Sequence, residues 1–191
     1  MIGREVSSAV INAGDGCHEH PTQALLDLYT VKEQLGRIEG LKVSIIGDIM
    51  HSRVARSNIW GFTRLGAHVT LCGPPTIIPN GMESLGAEVT YEVDRALKGA
   101  DVVYLLRLQK ERQKEMFLSS LKEYSMFYGI DEKRYADIKK RALVMHPGPM
   151  NRGVEIKPFV AEKESRLILS QVTNGIAVRM AVLYLTIGSL Q

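Results

Sequence analysis

Four short segments carry residue types that can do chemistry together. The first is His20-Pro21-Thr22-Gln23. A neutral imidazole can donate one ring N–H to a carbonyl oxygen, and a glutamine amide offers both a donor and an acceptor. Pro21 suits the first position of a helix, whose amino terminus favours a phosphate-bearing ligand. The second, Gly47-Asp48-Ile49-Met50-His51-Ser52-Arg53, has a single glycine and bulky neighbours. It lacks the G-x-G-x-x-G of a dinucleotide-binding turn and reads instead as a place where Arg53 receives a carboxylate by a paired N–H fork. In the third, Leu106-Arg107-Leu108-Gln109-Lys110-Glu111-Arg112, Arg107 is a second carboxylate receptor, because a charge at the end of a buried strand needs solvent or an anionic partner. Gln109 lies on the same side by strand alternation; Arg112 and Lys114 read as solvent-facing. The fourth, His146-Pro147-Gly148-Pro149-Met150-Asn151, has prolines that remove donors and leave carbonyls free to accept amide-type N–H groups. Taken singly, each segment also reads as ordinary structure: a helix start, a surface arginine, a rigid connection.

Positioning them requires a scaffold, and the hydropathy pattern supplies one. Short apolar runs at Val43–Gly47, His68–Gly73, Glu88–Tyr91, Val102–Leu106 and Leu143–His146 predict strands, several continuous enough to be covered on both faces. Val54–Leu65 has helical spacing. Strands alternating with helices predict an α/β fold: a Rossmann-like open parallel sheet of about five strands with helices on both faces. In such sheets ligands sit beyond the carboxyl ends of the strands, which places segments two, three and four on one rim. Two flanking helices are expected, Thr22–Leu35 and Ile176–Ile187. The first has an apolar stripe of Ala24, Leu25, Leu28, Val31 and Leu35, and the second is apolar almost all round. Both want more partners than one small sheet offers.

Composition narrows the class. The 191 residues are 45% apolar and 24% charged, with 24 basic and 21 acidic side chains giving a net charge of +3, as expected for a globular domain rather than a disordered or fibrous chain. No basic block interleaved with aromatics argues for nucleic acid. The charged stretch Asp131–Arg141 reads as a solvated helix face. No apolar run approaches the roughly 20 residues of a membrane span, and MIGREVSSAV does not read as a secretory signal. The two cysteines, Cys17 and Cys72, suggest neither a bridge nor a metal site, and a cytoplasmic location is expected.

In this order the four segments, with Asn12-Ala13-Gly14-Asp15-Gly16 before them and Asn174-Gly175-Ile176 after them, resemble the catalytic chain of the aspartate carbamoyltransferase family over essentially the whole sequence. Thr22 and Pro147-Gly148 stand where ornithine-specific relatives usually carry cysteine-containing counterparts. The resemblance implies transfer of the carbamoyl group of carbamoyl phosphate to the amino group of L-aspartate, in pyrimidine synthesis, without metal, cofactor or covalent enzyme intermediate. His20 is then the catalytic group, polarising the carbamoyl carbonyl. Gln23 with the backbone of Gly148 and Pro149 holds the carbamoyl nitrogen, and Arg53 and Arg107, supported by Gln109, hold the two aspartate carboxylates. It further implies a lead-in segment (1–21), an interdomain helix (22–36), an aspartate-binding α/β domain (37–170) and a carboxyl-terminal interdomain helix (171–191). The family's phosphate loop, Ser-Thr-Arg-Thr, does not occur in these 191 residues. The carbamoyl-phosphate domain is therefore expected to come from a longer or separate chain, and these residues alone are expected to be inactive. Family enzymes are trimers, so a homo-oligomer is expected. Alternatives are a non-catalytic amino-acid-binding or regulatory homologue, an ornithine-type transferase, and a nucleotide-binding domain, the last disfavoured by the single-glycine turn.

Overall fold

The computed structural model describes residues 2–109 and 120–188. After a short helix α1 (Ile2–Glu5) and an extended lead comes α2 (Pro21–Leu35), with Pro21 in its first turn and Gly36, left-handed at φ 76°, closing it. The chain then alternates: β1 (Lys42–Ile46), α3 (Arg53–Arg64), β2 (His68–Cys72), β3 (Ala87–Thr90), α4 (Val93–Leu97) and β4 (Val102–Leu105). It continues with α5 (Leu121–Tyr128), α6 (Glu132–Ile138), β5 (Leu143–Met145), α7 (Pro158–Lys163) and α8 (Ser165–Gly188).

All five strands are parallel, in the order β3-β2-β1-β4-β5. Strand order therefore reverses between β1 and β4, and a crevice opens there beyond the carboxyl ends. The continuous apolar runs follow from two-sided burial. Val43 and Ile45 face a core shared with Val69, Leu71, Tyr104, α3 (Ala55, Ile59, Phe62) and α2 (Leu28, Val31). On the opposite face Ile46, Val103, Leu105 and Val144 pack against α4, Ile138 of α6, and Val160 and Ala161 of α7. Phe62 is fully buried. Phe62→Ala is expected to cost about 3–5 kcal/mol by lost burial plus a cavity, read from chemical denaturation; a loss below about 1 kcal/mol would show that α3 does not carry this core.

Three expectations need correction. The buried side of α2 is not a simple apolar stripe: Gln23, Asp27 and Thr30 are buried while Leu25 and Tyr29 are about half exposed. The reason is that α2 packs against α3 on one side and α8 on the other, so its buried arc runs through polar residues that pair across those contacts. The last helix starts at Ser165, eleven residues before Ile176, and runs for 24 residues, so the expected division at 170/171 falls inside it. It is long and apolar enough, by length and composition, to cross a membrane, contrary to the expectation that no segment is. Its first half is nevertheless packed on protein: Gln171 and Asn174 are buried and donate to Asp27, Thr30 and Glu33 of α2. Its second half leaves Ile176, Met180, Leu183 and Tyr184 exposed, the surplus apolar surface expected of this helix.

Candidate active site

A cavity of about 200 Å³ lies at the reversal point, lined by His20, Gln23, Ser52, Arg53, Val54, Arg107, Gln109, Pro147, Gly148 and Pro149. Every candidate residue read from the sequence is on its wall, and Ser52, Val54 and Pro147 join them. The volume is below the roughly 300–1,000 Å³ of sites for drug-sized ligands. A second cavity of similar size shares Gln23, Pro147 and Gly148 and adds Arg179 of α8.

Each wall is fixed by the element behind it. The turn after β1 is pinned where Gly47 N–H donates to Cys72 O and Gly47 sits at φ 133°. A Cβ there would come within 3.0 Å of Leu106, so only glycine lets this turn lie against the segment after β4. Asp48, fully buried, then ties the two segments together. Its Oδ1 takes the His51 backbone N–H and lies 2.8 Å from His51 Nδ1, while its Oδ2 accepts from the Gln109 backbone at 3.2 Å. Ser52 caps α3 by accepting from Ala55 N–H at 3.2 Å, which starts the helix on Arg53 and turns its side chain to the cavity. The guanidinium packs against the lead segment at Gly14, where a Cβ would lie 2.5 Å from it.

The wall after β5 is held through His146 and Glu155, both buried. Gly148 N–H donates to His146 Nδ1 at 2.9 Å, which puts the ring proton on Nε2, 3.3 Å from Glu155 Oε1. The Gly148–Pro149 peptide is cis, and Gly148 takes φ 64°.

His20 precedes α2, and its backbone N–H donates to Ser57 Oγ of α3 at 2.9 Å. Burial first, then the charges of Arg53 and Arg179, push its pKa down from 6.5 to about 4, so the ring is neutral near pH 7. One expectation changes here. Gln23 and Ala24 N–H both bond to His20 O, so the helix end offers the cavity side chains rather than a fan of free amides. Lys110, Glu111, Arg112 and Lys114 lie outside the described residues.

This arrangement puts two guanidinium groups, a neutral imidazole, two primary amides and a donor-poor proline turn on one small cavity. Residues 39–186 match the family model of the aspartate/ornithine carbamoyltransferase Asp/Orn binding domain, and residues 2–33 match that of its carbamoyl-P binding domain. The chain belongs to the aspartate/ornithine carbamoyltransferase family. It is 58% identical, over 98% of its length, to the aspartate carbamoyltransferase catalytic subunit of Halothermothrix orenii, and 59% identical to that of Pelotomaculum thermopropionicum. It spans about 60% of the length of these curated relatives. A crystal structure of aspartate transcarbamoylase from Trypanosoma cruzi in complex with N-(phosphonacetyl)-L-aspartic acid superposes with a TM-score of 0.80. That match has 32% identity and covers 91% of this chain and 57% of that one. The two model matches meet between residues 33 and 39, so this family's carbamoyl-P model takes in His20, Gln23 and nearly all of α2, and the remaining cavity residues fall within its Asp/Orn model.

Among the described residues, no group of three His, Cys, Asp or Glu side chains is placed to hold a metal ion. Cys17 is exposed and Cys72 buried. Sequence reasoning placed Asp48 and Ser52 on the rim without giving them a role, and missed Asp27. Ser52 had a visible signal, a serine directly before a helical pattern; Asp27 had one in its helical spacing, four residues beyond Gln23.

Proposed function

We propose that this chain supplies the aspartate-binding half and part of the carbamoyl site of an aspartate carbamoyltransferase. The observation that carries the reading is the convergence of His20 and Gln23, the Pro147–Pro149 turn, and Arg53, Arg107 and Gln109 on one cavity. In the proposed reaction the uncharged α-amino nitrogen of L-aspartate attacks the carbamoyl carbon. A C–N bond forms, the bond from that carbon to the bridging phosphate oxygen breaks, phosphate leaves with the electron pair, and the nitrogen sheds a proton. His20 donates from Nε2 to the carbonyl oxygen as negative charge builds on it. Thr22 Oγ1, 3.5 Å from Nδ1, is placed to donate to that nitrogen and keep the proton on Nε2. Gln23 and the carbonyls of the 147–149 turn hold the carbamoyl NH2. Arg53 and Arg107 clamp the two carboxylates, which holds the amine in attack geometry.

Two cations on one cavity support a dianionic acceptor and oppose ornithine, which brings one carboxylate where aspartate brings two. A purely amino-acid-binding module has no need of His20 and Gln23 beside the acceptor pocket. The proposed division has α2 and α8 bridging to the domain that binds the phosphate, with the elements from β1 to α7 forming the aspartate-binding unit. A homo-oligomer in a reducing cytoplasm completes the reading, a chain of two cysteines being ordinary there.

The test is formation of carbamoyl aspartate by the 191 residues, alone and with the amino-terminal part of a relative supplied by fusion or mixing. Activity is expected only with that part present, and with aspartate rather than ornithine. No activity in either form, with both proteins folded, overturns the proposal.

A further inference from the structure

Behind the cavity, α2, α3, β4 and α8 meet at one fully buried carboxylate, Asp27. Its two oxygens are saturated. Oδ1 accepts from Gln23 Nε2 at 3.2 Å and Gln171 Nε2 at 3.0 Å; Oδ2 accepts from Asn58 Nδ2 at 3.0 Å and Tyr104 Oη at 2.6 Å. An ionised carboxylate only accepts, with about four lone-pair sites, so all four neighbours must turn a proton toward it. That requirement fixes which end of each amide points where. Gln171, spending its nitrogen on Asp27, turns Oε1 to accept the backbone N–H of His146 at 3.1 Å, at the root of the Pro147–Pro149 turn. Gln23, spending its nitrogen on the same oxygen, has Oε1 left for the cavity it lines.

We propose that Asp27 is a positioning residue for carbamoyl transfer: by taking the Gln23 side-chain N–H it makes Gln23 Oε1, an acceptor, the atom presented to the carbamoyl NH2, and through Gln171 it sets the facing turn in the same register. The inference rests on the function proposed above and adds what orients its ligand. An unanchored glutamine could present its NH2 to the ligand's NH2, donor against donor. The buried charge thus converts an ambiguous amide into a one-sided recognition group.

The groups facing Asp27 are Gln23 from α2, Asn58 from α3, Tyr104 from β4 and Gln171 from α8; Tyr104 is the titratable one among them, and burial and Asp27 itself hold it well above 10. Burial pushes Asp27 up to about 6, against the pull of those four bonds. On acidification through this range the carboxyl gains a proton, one acceptor site is lost, and the Gln23 anchor weakens.

The experiment is a double-mutant cycle in the active transferase, formed with the amino-terminal part where that part is needed, reading KM for carbamoyl phosphate. Asp27→Asn is expected to raise it roughly tenfold, the scale of one charge-assisted hydrogen bond, and Gln23→Ala to raise it at least as much. In the Gln23→Ala background Asp27→Asn should then add less than about twofold. Effects that multiply, or an Asp27→Asn enzyme with unchanged KM, overturn the inference while leaving the function standing. An unchanged KM in Gln23→Ala overturns the carbamoyl placement itself and this inference with it. Should Asp27→Asn not fold, Tyr104→Phe reads the same device: losing that bond should move the acid limb of carbamoyl-phosphate binding to higher pH. Both enzymes share the ligand's own phosphate titration, so an unshifted limb is the opposing result.

Discussion

Replacing Arg107 by alanine is expected to raise KM for aspartate by ~10²–10³-fold while leaving KM for carbamoyl phosphate within about threefold; Arg53→Ala should behave alike. Truncating one partner of a hydrogen-bonded charge pair costs roughly 2–5 kcal/mol, and each 1.4 kcal/mol is about tenfold in affinity. The positions carry the asymmetry. Both arginines follow strands β1 and β4, whereas Gln23 stands on α2 and the 147–149 turn follows β5, so different elements carry the two sets of groups that line the cavity. Arg107→Lys should recover little, because a single ammonium cannot reproduce a planar fork against a carboxylate. Steady-state kinetics with each substrate varied in turn checks this. Equal rises in both KM values would mean that Arg107 holds the site's shape rather than a carboxylate, and a fully recovered lysine variant would mean that charge alone suffices.

Much of this site was legible because its residues stand at punctuation marks. Each strand that builds the rim ends in a short run of polar or restricted residues, and in a parallel sheet all those runs fall on one edge. Reading five apolar stretches therefore placed Arg53, Arg107 and Pro149 near one another before any geometry was known. What stayed hidden has a common cause: it lies where two elements far apart in sequence share a side chain. Asp27 reads as the polar side of an amphipathic helix until Gln171, distant by 144 positions, is seen to donate to it. Leu25 reads as a stripe residue until α8 is seen to take the arc next to Gln23 and Leu26 instead. The start of α8 was missed because its first turns, with Ser165, Arg166 and Gln171, lack the all-round apolar character that marked the rest. Asp48 is the intermediate case, since its position after β1 was visible but not its bond to the Gln109 backbone across the strand-order reversal.

His20→Ala is expected to lower kcat by ~10²–10³-fold, the usual cost of removing one preorganised donor from a developing oxyanion, with His20→Gln recovering part of it. The more discriminating result is the pH dependence. Burial, reinforced by Arg53 and Arg179, holds His20 at about 4 rather than 6.5. A neutral imidazole is then present throughout pH 5.5–8, and the kcat ratio of wild type to His20→Gln should be flat across that window. A histidine acting as a general base with its ordinary pKa would bend the ratio near 6.5, and that bend would refute the donor role. Stability carries the same signature with a definite sign. The folded chain binds fewer protons than the unfolded chain between about 4 and 6.5, so His20 makes stability fall as pH drops through that range. Substituting His20 should therefore shallow the acid limb of the unfolding curve, measured as Tm against pH, while leaving it unchanged above pH 7. Asp27 works in the opposite direction over nearly the same window, because its folded pKa of about 6 lies above the unfolded 3.8. Its contribution is greatest below 3.8 and is lost as pH rises through 6. The two groups bond to or border Gln23 from either side, so the cavity that needs His20 neutral and Asp27 ionised has both only above about pH 6, and the acid limb of activity should follow Asp27 rather than His20.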